Sequence, residues 1–229
     1  MKEAIRWVNI GRDRITYSGR VEMIPTAVWM SPKEIKEELS SKLFDEGLLF
    51  ELIGMDALND ADIVIEHVSC WMQYHVFRLE VRDEKTIRVA LNLLPSSQKE
   101  PLFKHYWKSA KKAWEAGVVA EPLLLSKDGR LFIQEWVDGI PVSEIVGEEW
   151  IKKKEEIITS ICNSILELYK VGYAFHPLTD YEVMLKDGKA IFLDITRLRE
   201  VKDSIEFEEM YKNSIIKNVR VIDWLKSFC

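Results

Sequence analysis

The chain has 229 residues, 47% hydrophobic and 31% charged, with a formal net charge of -6 at pH 7, which suits one compact domain with an N-terminal extension and leaves little room for two full domains. The acidic balance argues against a protein that coats phosphate backbones, so no nucleic-acid partner is expected. No apolar run approaches the roughly 20 residues that span a bilayer, and the opening Met-Lys-Glu-Ala-Ile-Arg lacks a signal-peptide core, so the chain is expected in the cytoplasm with no membrane association.

Residues 5–30 alternate apolar and polar side chains in short runs, with Ser18-Gly19 and Pro25 as punctuation, and predict a small strand-rich element. Ser31-Pro32-Lys33-Glu34 then offers an N-cap, a proline at the first helical position and a glutamate for a capping box, so a helix is predicted to about Ser41. A second short helix is expected near Glu46 to Leu58. The acidic Asn59-Asp60-Ala61-Asp62 turn marks the end of an extension, residues 1–62, whose apolar side chains predict packing on the rest of the chain.

Three strands follow, at Ile63 to Val68, His75 to Val81 and Thr86 to Leu94, then a helix from Pro101 to Ala116 with Gly117 as its stop. Strands at Pro122 to Ser126 and Leu131 to Trp136 flank the hairpin signal Lys127-Asp128-Gly129-Arg130. From about Trp150 one apolar stripe (Ile157, Ile158, Ile161, Ile165, Leu168) predicts a long helix. A short hairpin around Lys186-Asp187-Gly188 and a helical C-terminus complete the order. The three cysteines (Cys70, Cys162, Cys229) and four histidines are scattered, which predicts neither a disulfide framework nor a structural zinc site.

From Ile63 onward this order resembles the protein-kinase-like fold in its compact RIO-type or aminoglycoside-phosphotransferase-like form. Val89-Ala90-Leu91-Asn92 looks like its third-strand motif and Glu115-Ala116-Gly117-Val118 like the end of its helix C. Ile133-Gln134-Glu135-Trp136-Val137-Asp138-Gly139 looks like its hinge, and Ile191-Phe192-Leu193-Asp194 like the strand carrying its metal-binding aspartate. The resemblance implies an α+β, two-lobed protein-kinase-like fold: an N-lobe over 63–137, a reduced helical C-lobe over 138–229, and a strand-plus-helix extension over 1–62. It implies adenine contacts at Glu135 and Val137, and ATP with Mg²⁺ or Mn²⁺ as the cofactor if any is bound.

The residues that chemistry requires are mostly replaced. Phosphoryl transfer relies on a glycine-rich loop, a strand-three lysine and its helix partner glutamate. Here Ser69-Cys70-Trp71-Met72-Gln73-Tyr74 replaces the loop, Asn92 stands at the lysine position and Tyr106 near the glutamate's. Pro177 falls at the catalytic aspartate and Glu182 at the metal-binding asparagine, leaving Asp194, with Glu182, as candidate metal ligands. Asp194 is alternatively a turn carboxylate. His176 and Asp180 are candidate acid/base residues, or ties within a turn. Arg78 and Arg88 are candidates for a relocated cation. Lys152-Lys153-Lys154 and the lysines at 104, 108, 111 and 112 read as a solvated helix face or a site for an acidic partner or phosphate, and Trp71 and Trp136 as core or exposed binding residues. The reading that follows is a pseudokinase that regulates or scaffolds by binding a protein partner. The alternatives are an atypical ATP-dependent phosphotransferase and an unrelated α+β binding protein.

Overall fold

The computed structural model describes residues 5–10, 16–17, 20–21, 30–54, 61–70, 74–83, 85–95 and 102–228. Trp71, the centre of the segment replacing the glycine loop, and most of the 11–29 run lie outside these residues. The fold is α+β, and the chain divides into two compact units, residues 1–105 with 122–136, and 106–121 with 137–229.

The first unit opens with β1 (Ile5–Val8) and a two-residue ladder of β2 (Thr16–Tyr17) with β3 (Arg20–Val21). Helix α1 (Pro32–Ser40) starts where the sequence places it: the Glu34 amide donates to Ser31 Oγ at 3.2 Å and the Ser31 amide to the Glu34 carboxylate at 2.7 Å. A π-helical turn (Ser41–Asp45) leads into α2 (Leu48–Ile53). Strands β4 (Asp62–Cys70), β5 (His75–Arg82) and β6 (Thr86–Leu93), helix α3 (Leu102–Trp114) and strands β7 (Pro122–Leu125) and β8 (Leu131–Glu135) follow. The six-stranded sheet runs β1-β4-β5-β6-β8-β7, mixed because β1 joins β4 in parallel while the rest is antiparallel.

Strand periodicity sorts this sheet's faces. Ile63, Ile65, Phe77, Leu79, Val81, Val89, Leu91, Leu93, Leu131 and Ile133 share one core with Ile35, Leu39, Leu43, Leu48 and Leu49 from the helical segment. Burying each such side chain contributes roughly 1.5–3 kcal/mol, which fastens residues 30–54 to the sheet. On the other face Phe103, Phe132 and Tyr74 stack edge to face or tilted, at 5.4 and 5.6 Å between centroids. Cross-strand charge pairs also lie there, Arg78 with Glu66 at 2.6 Å and Arg88 with Glu80 at 3.0 Å. The division into 1–62, 63–137 and 138–229 expected from sequence cuts the chain elsewhere, because β1 is a strand of the main sheet and residues 106–121 belong to the second unit.

In the second unit the turn after α3 closes at Gly117, whose φ of 66° suits a residue without a Cβ and whose amide donates to the Trp114 carbonyl. Strand β9 (Ile140–Pro141) precedes α4 (Gly147–Lys170), β10 (Tyr173–Phe175), β11 (Val183–Lys186) and β12 (Lys189–Phe192). Then come β13 (Leu198–Glu200), α5 (Ser204–Tyr211), β14 (Ile215–Ile216), β15 (Val219–Arg220) and α6 (Val221–Phe228). The small sheets are β12-β11-β9 and β10-β13. Helix α4 buries Ile157, Ile158, Ile161, Ile165 and Leu168, the predicted stripe, and is strapped to the β11–β12 hairpin by Ser164 Oγ donating to the Ala190 carbonyl (2.7 Å) and Ser160 Oγ to the Gly188 carbonyl (2.8 Å). Among the described residues no helix is long and apolar enough to cross a membrane.

Candidate functional site

The hairpin register builds the site. Val183 pairs with Phe192, and one step further out the Leu193 amide donates to the Glu182 carbonyl at 3.0 Å. Glu182 and Asp194 thereby flank the hairpin's open end. The chain then turns through a single 3₁₀ turn, Ile195–Arg197, that Asp194 caps. This turn brings Arg197 back onto both carboxylates: its Nε lies 3.1 Å from Glu182 Oε1 and 3.6 Å from Asp194 Oδ2.

Each carboxylate oxygen has a partner within the protein. Thr179 Oγ1 donates to Glu182 Oε2 at 2.8 Å, while Asp194 Oδ1 accepts from both the amide (2.8 Å) and the hydroxyl (2.7 Å) of Thr196. Glu182 is 2% exposed and Asp194 9%. Burial pushes the Glu182 carboxyl above its ordinary value, the Asp194 charge adds to that, and Arg197 and Thr179 oppose it. Two buried carboxylates thus share one guanidinium, an arrangement that is neutral when Glu182 is protonated. A hard cation needs about six oxygen ligands, so Mg²⁺ could enter only by displacing Arg197.

The two predicted metal ligands are therefore brought together, with Asp194 serving as a turn cap and Arg197 paired to both. His176 and Asp180 form no hydrogen bond with each other. The His176 amide donates to the Arg197 carbonyl, Nδ1 of its ring is buried without a partner, and burial followed by the charge of Arg199 pushes the ring's pKa down while a backbone bond to Met210 opposes this. Asp180 is half-buried, and its carbonyl accepts from the Ser143 amide. Pro177 follows a cis peptide bond.

In the first unit Asn92 is 5% exposed and its side-chain amide donates to the Phe132 carbonyl at 3.4 Å, so it closes the sheet and supplies no charge. Glu135 ends β8 opposite Val89. Val137, the first residue of the second unit's main segment, is buried. Arg78 and Arg88 are held by Glu66 and Glu80, and Arg78 also lies over the half-buried Trp136 ring at 5.6 Å. Lys104, Lys108, Lys111 and Lys112 are exposed along α3, with Lys111 over Trp107 and Lys112 over Tyr173. The sequence reading missed Arg197, Thr179 and Thr196. Their signal was spacing: an arginine three residues after Asp194, and a threonine three before Glu182.

No known family model matches the chain. It is 27% identical over 190 residues to an uncharacterized protein of Archaeoglobus fulgidus, an alignment covering 79% of this chain and 63% of that protein. The chain thus spans under two thirds of the length of the relative it matches.

Proposed function

We propose that the chain is a catalytically degenerate protein-kinase-like module that acts by binding another protein, in a regulatory or scaffolding role. The observation that carries this reading is the closure of Glu182 and Asp194 on Arg197. Phosphoryl transfer needs free carboxylate oxygens for metal and a cation for the triphosphate. Here the oxygens are engaged by Arg197, Thr179 and Thr196, and the position expected for the lysine holds the neutral Asn92. The kinase-like part of the reading is supported by the antiparallel order β4-β5-β6-β8-β7 with α3 between β6 and β7, and by the hairpin that ends in Asp194.

Calorimetry with ATP, with and without Mg²⁺ or Mn²⁺, and label transfer from the γ-phosphate to the protein itself or to generic acceptors test this. Weak or absent binding and a flat transfer baseline are expected. Submicromolar, metal-dependent binding, or transfer that disappears in Asp194→Asn, would replace the pseudokinase by the atypical phosphotransferase.

A further inference from the structure

The hairpin between β4 and β5 holds two of the four histidines, in the sequence His67-Val-Ser-Cys-Trp-Met-Gln-Tyr-His75. His67 Nε2 and His75 Nδ1 are 3.3 Å apart. At that distance one ring can donate to the other, and the same spacing fits two nitrogens sharing a metal ion. Two nitrogens bound at about 2.05 Å to one tetrahedral ion stand about 3.3–3.4 Å from each other, with imidazole centres about 5.2 Å apart. The observed centroid separation is 5.2 Å, with the rings inclined by 50°.

Both rings are held in place. His67 stacks on Phe77 at 4.7 Å, and His75, only 1% exposed, lies over the same ring at 6.2 Å. His67 also reaches the Ser69 backbone, the outer hydrogen bond that metal-binding imidazoles commonly make to present the other nitrogen's lone pair. Among the described residues no three His, Cys, Asp or Glu side chains converge, so this is a two-histidine site.

We propose that His67 Nε2 and His75 Nδ1 chelate a divalent transition-metal ion of the zinc class. Nitrogen donors in an apolar wall select zinc, copper, nickel or iron over magnesium and calcium, which require oxygen. The site belongs to the first unit alone and does not depend on the kinase-like reading.

The test is titration of the chelator-stripped full chain with Co²⁺, followed by Zn²⁺. One Co²⁺ per chain with a tetrahedral ligand-field spectrum, displaced by Zn²⁺, is expected. His67→Gln should weaken binding by more than the roughly 10- to 100-fold that loss of an outer-sphere partner costs. His176→Gln, which alters a histidine of the other unit, should leave binding unchanged. Because His75 is buried and its replacement endangers folding, His67→Gln carries the decision, with a Zn²⁺-induced rise in Tm seen in the native chain and lost in that variant as a second readout. Absence of a stoichiometric cobalt spectrum, or a spectrum and Tm shift that persist in His67→Gln, would overturn the proposal and leave a hydrogen-bonded histidine pair.

Discussion

Replacing Arg197 by Met keeps most of the side chain's apolar stem while removing the basic group that Glu182 and Asp194 share. At 3.1 and 3.6 Å, and with an effective dielectric near 20, each contact has a gross attraction of about 5 kcal/mol. Desolvation already offsets much of that. Stripping one partner from a fully buried pair costs about 3–5 kcal/mol, and because Arg197 is 29% exposed, water takes over part of its role, so a loss of about 2–4 kcal/mol is expected at pH 8. The loss should depend on pH. Glu182 titrates above its unfolded value of 4.5 in the folded chain, so its ionised form costs stability at high pH, and that cost vanishes as pH falls through the folded pKa toward 4.5. Removing Arg197, which pulls this pKa down, enlarges the cost at high pH and leaves little of it near pH 4.5. Urea denaturation of native and Arg197→Met chains at pH 8 and pH 5 reads both effects, and adding Glu182→Gln to the variant should recover part of the loss at pH 8. A variant within about 0.5 kcal/mol of native at pH 8, the range of ordinary surface substitutions, would refute the reasoning. So would a gap that is the same at both pH values.

Other substitutions probe the frame around the two sites. Ser31→Ala removes the Oγ that accepts from the Glu34 amide while the residue 31 amide can still donate to the Glu34 carboxylate, and should cost about 1 kcal/mol, read as a lower urea midpoint at unchanged slope. Gly139→Ala places a Cβ 2.6 Å from the Leu185 carbonyl, a backbone atom of β11, and should cost about 1–3 kcal/mol in the same assay. Lys42 is 4% exposed and meets Glu38, Glu46 and Asp128 at 3.3, 3.4 and 2.6 Å. Lys42→Met should therefore lower stability by about 2–3 kcal/mol, softened by the partial exposure of those carboxylates, and adding Asp128→Asn should cost less than the sum of the two single changes.

Local signals were the legible ones. The Ser31 cap, the stripe from Ile157 to Leu168 and the Asp187-Gly188 turn, at φ 52° and 77°, follow from interactions within a few residues and lie in the structure where the sequence put them. What escaped is non-local. The pairing of Ile5–Val8 with Ile63–Glu66 is parallel across more than fifty residues, and alternation within either strand says nothing about its partner. Strands β10 and β13, three residues each, are too short to show a period. Arg78 and Arg88 look free when read along their own strands and are neutralised only once register sets Glu66 and Glu80 opposite. The candidate site followed the same rule: Asp194 and Glu182 were visible as residue types, while Arg197 acquired its role from a hairpin register that the sequence does not spell out.

That role leads to one more test, because an internal cation and a bound one are exclusive at this site. If Arg197 stands where a divalent ion would otherwise sit, then Arg197→Met strips Glu182 Oε1 and Asp194 Oδ2 of their cation and leaves these two oxygens for a metal ion to engage. Added Mg²⁺ should then stabilise the variant and leave the native chain unchanged. For a site with a dissociation constant of about 1 mM, Mg²⁺ at about 10 mM contributes about 1.4 kcal/mol, which raises Tm by roughly 3–6 °C in a chain of this size. The effect should be lost again in Arg197→Met combined with Asp194→Asn, which removes one ligand charge while keeping the Thr196 cap acceptor. Equal stabilisation of native and variant chains would show that Mg²⁺ binds elsewhere and that the arginine excludes nothing. Absence of any effect in Arg197→Met would show that the pair closes without a cation, with Glu182 protonated between its neighbours, and the carboxylates would then be a buried structural knot with no metal-binding geometry left in it.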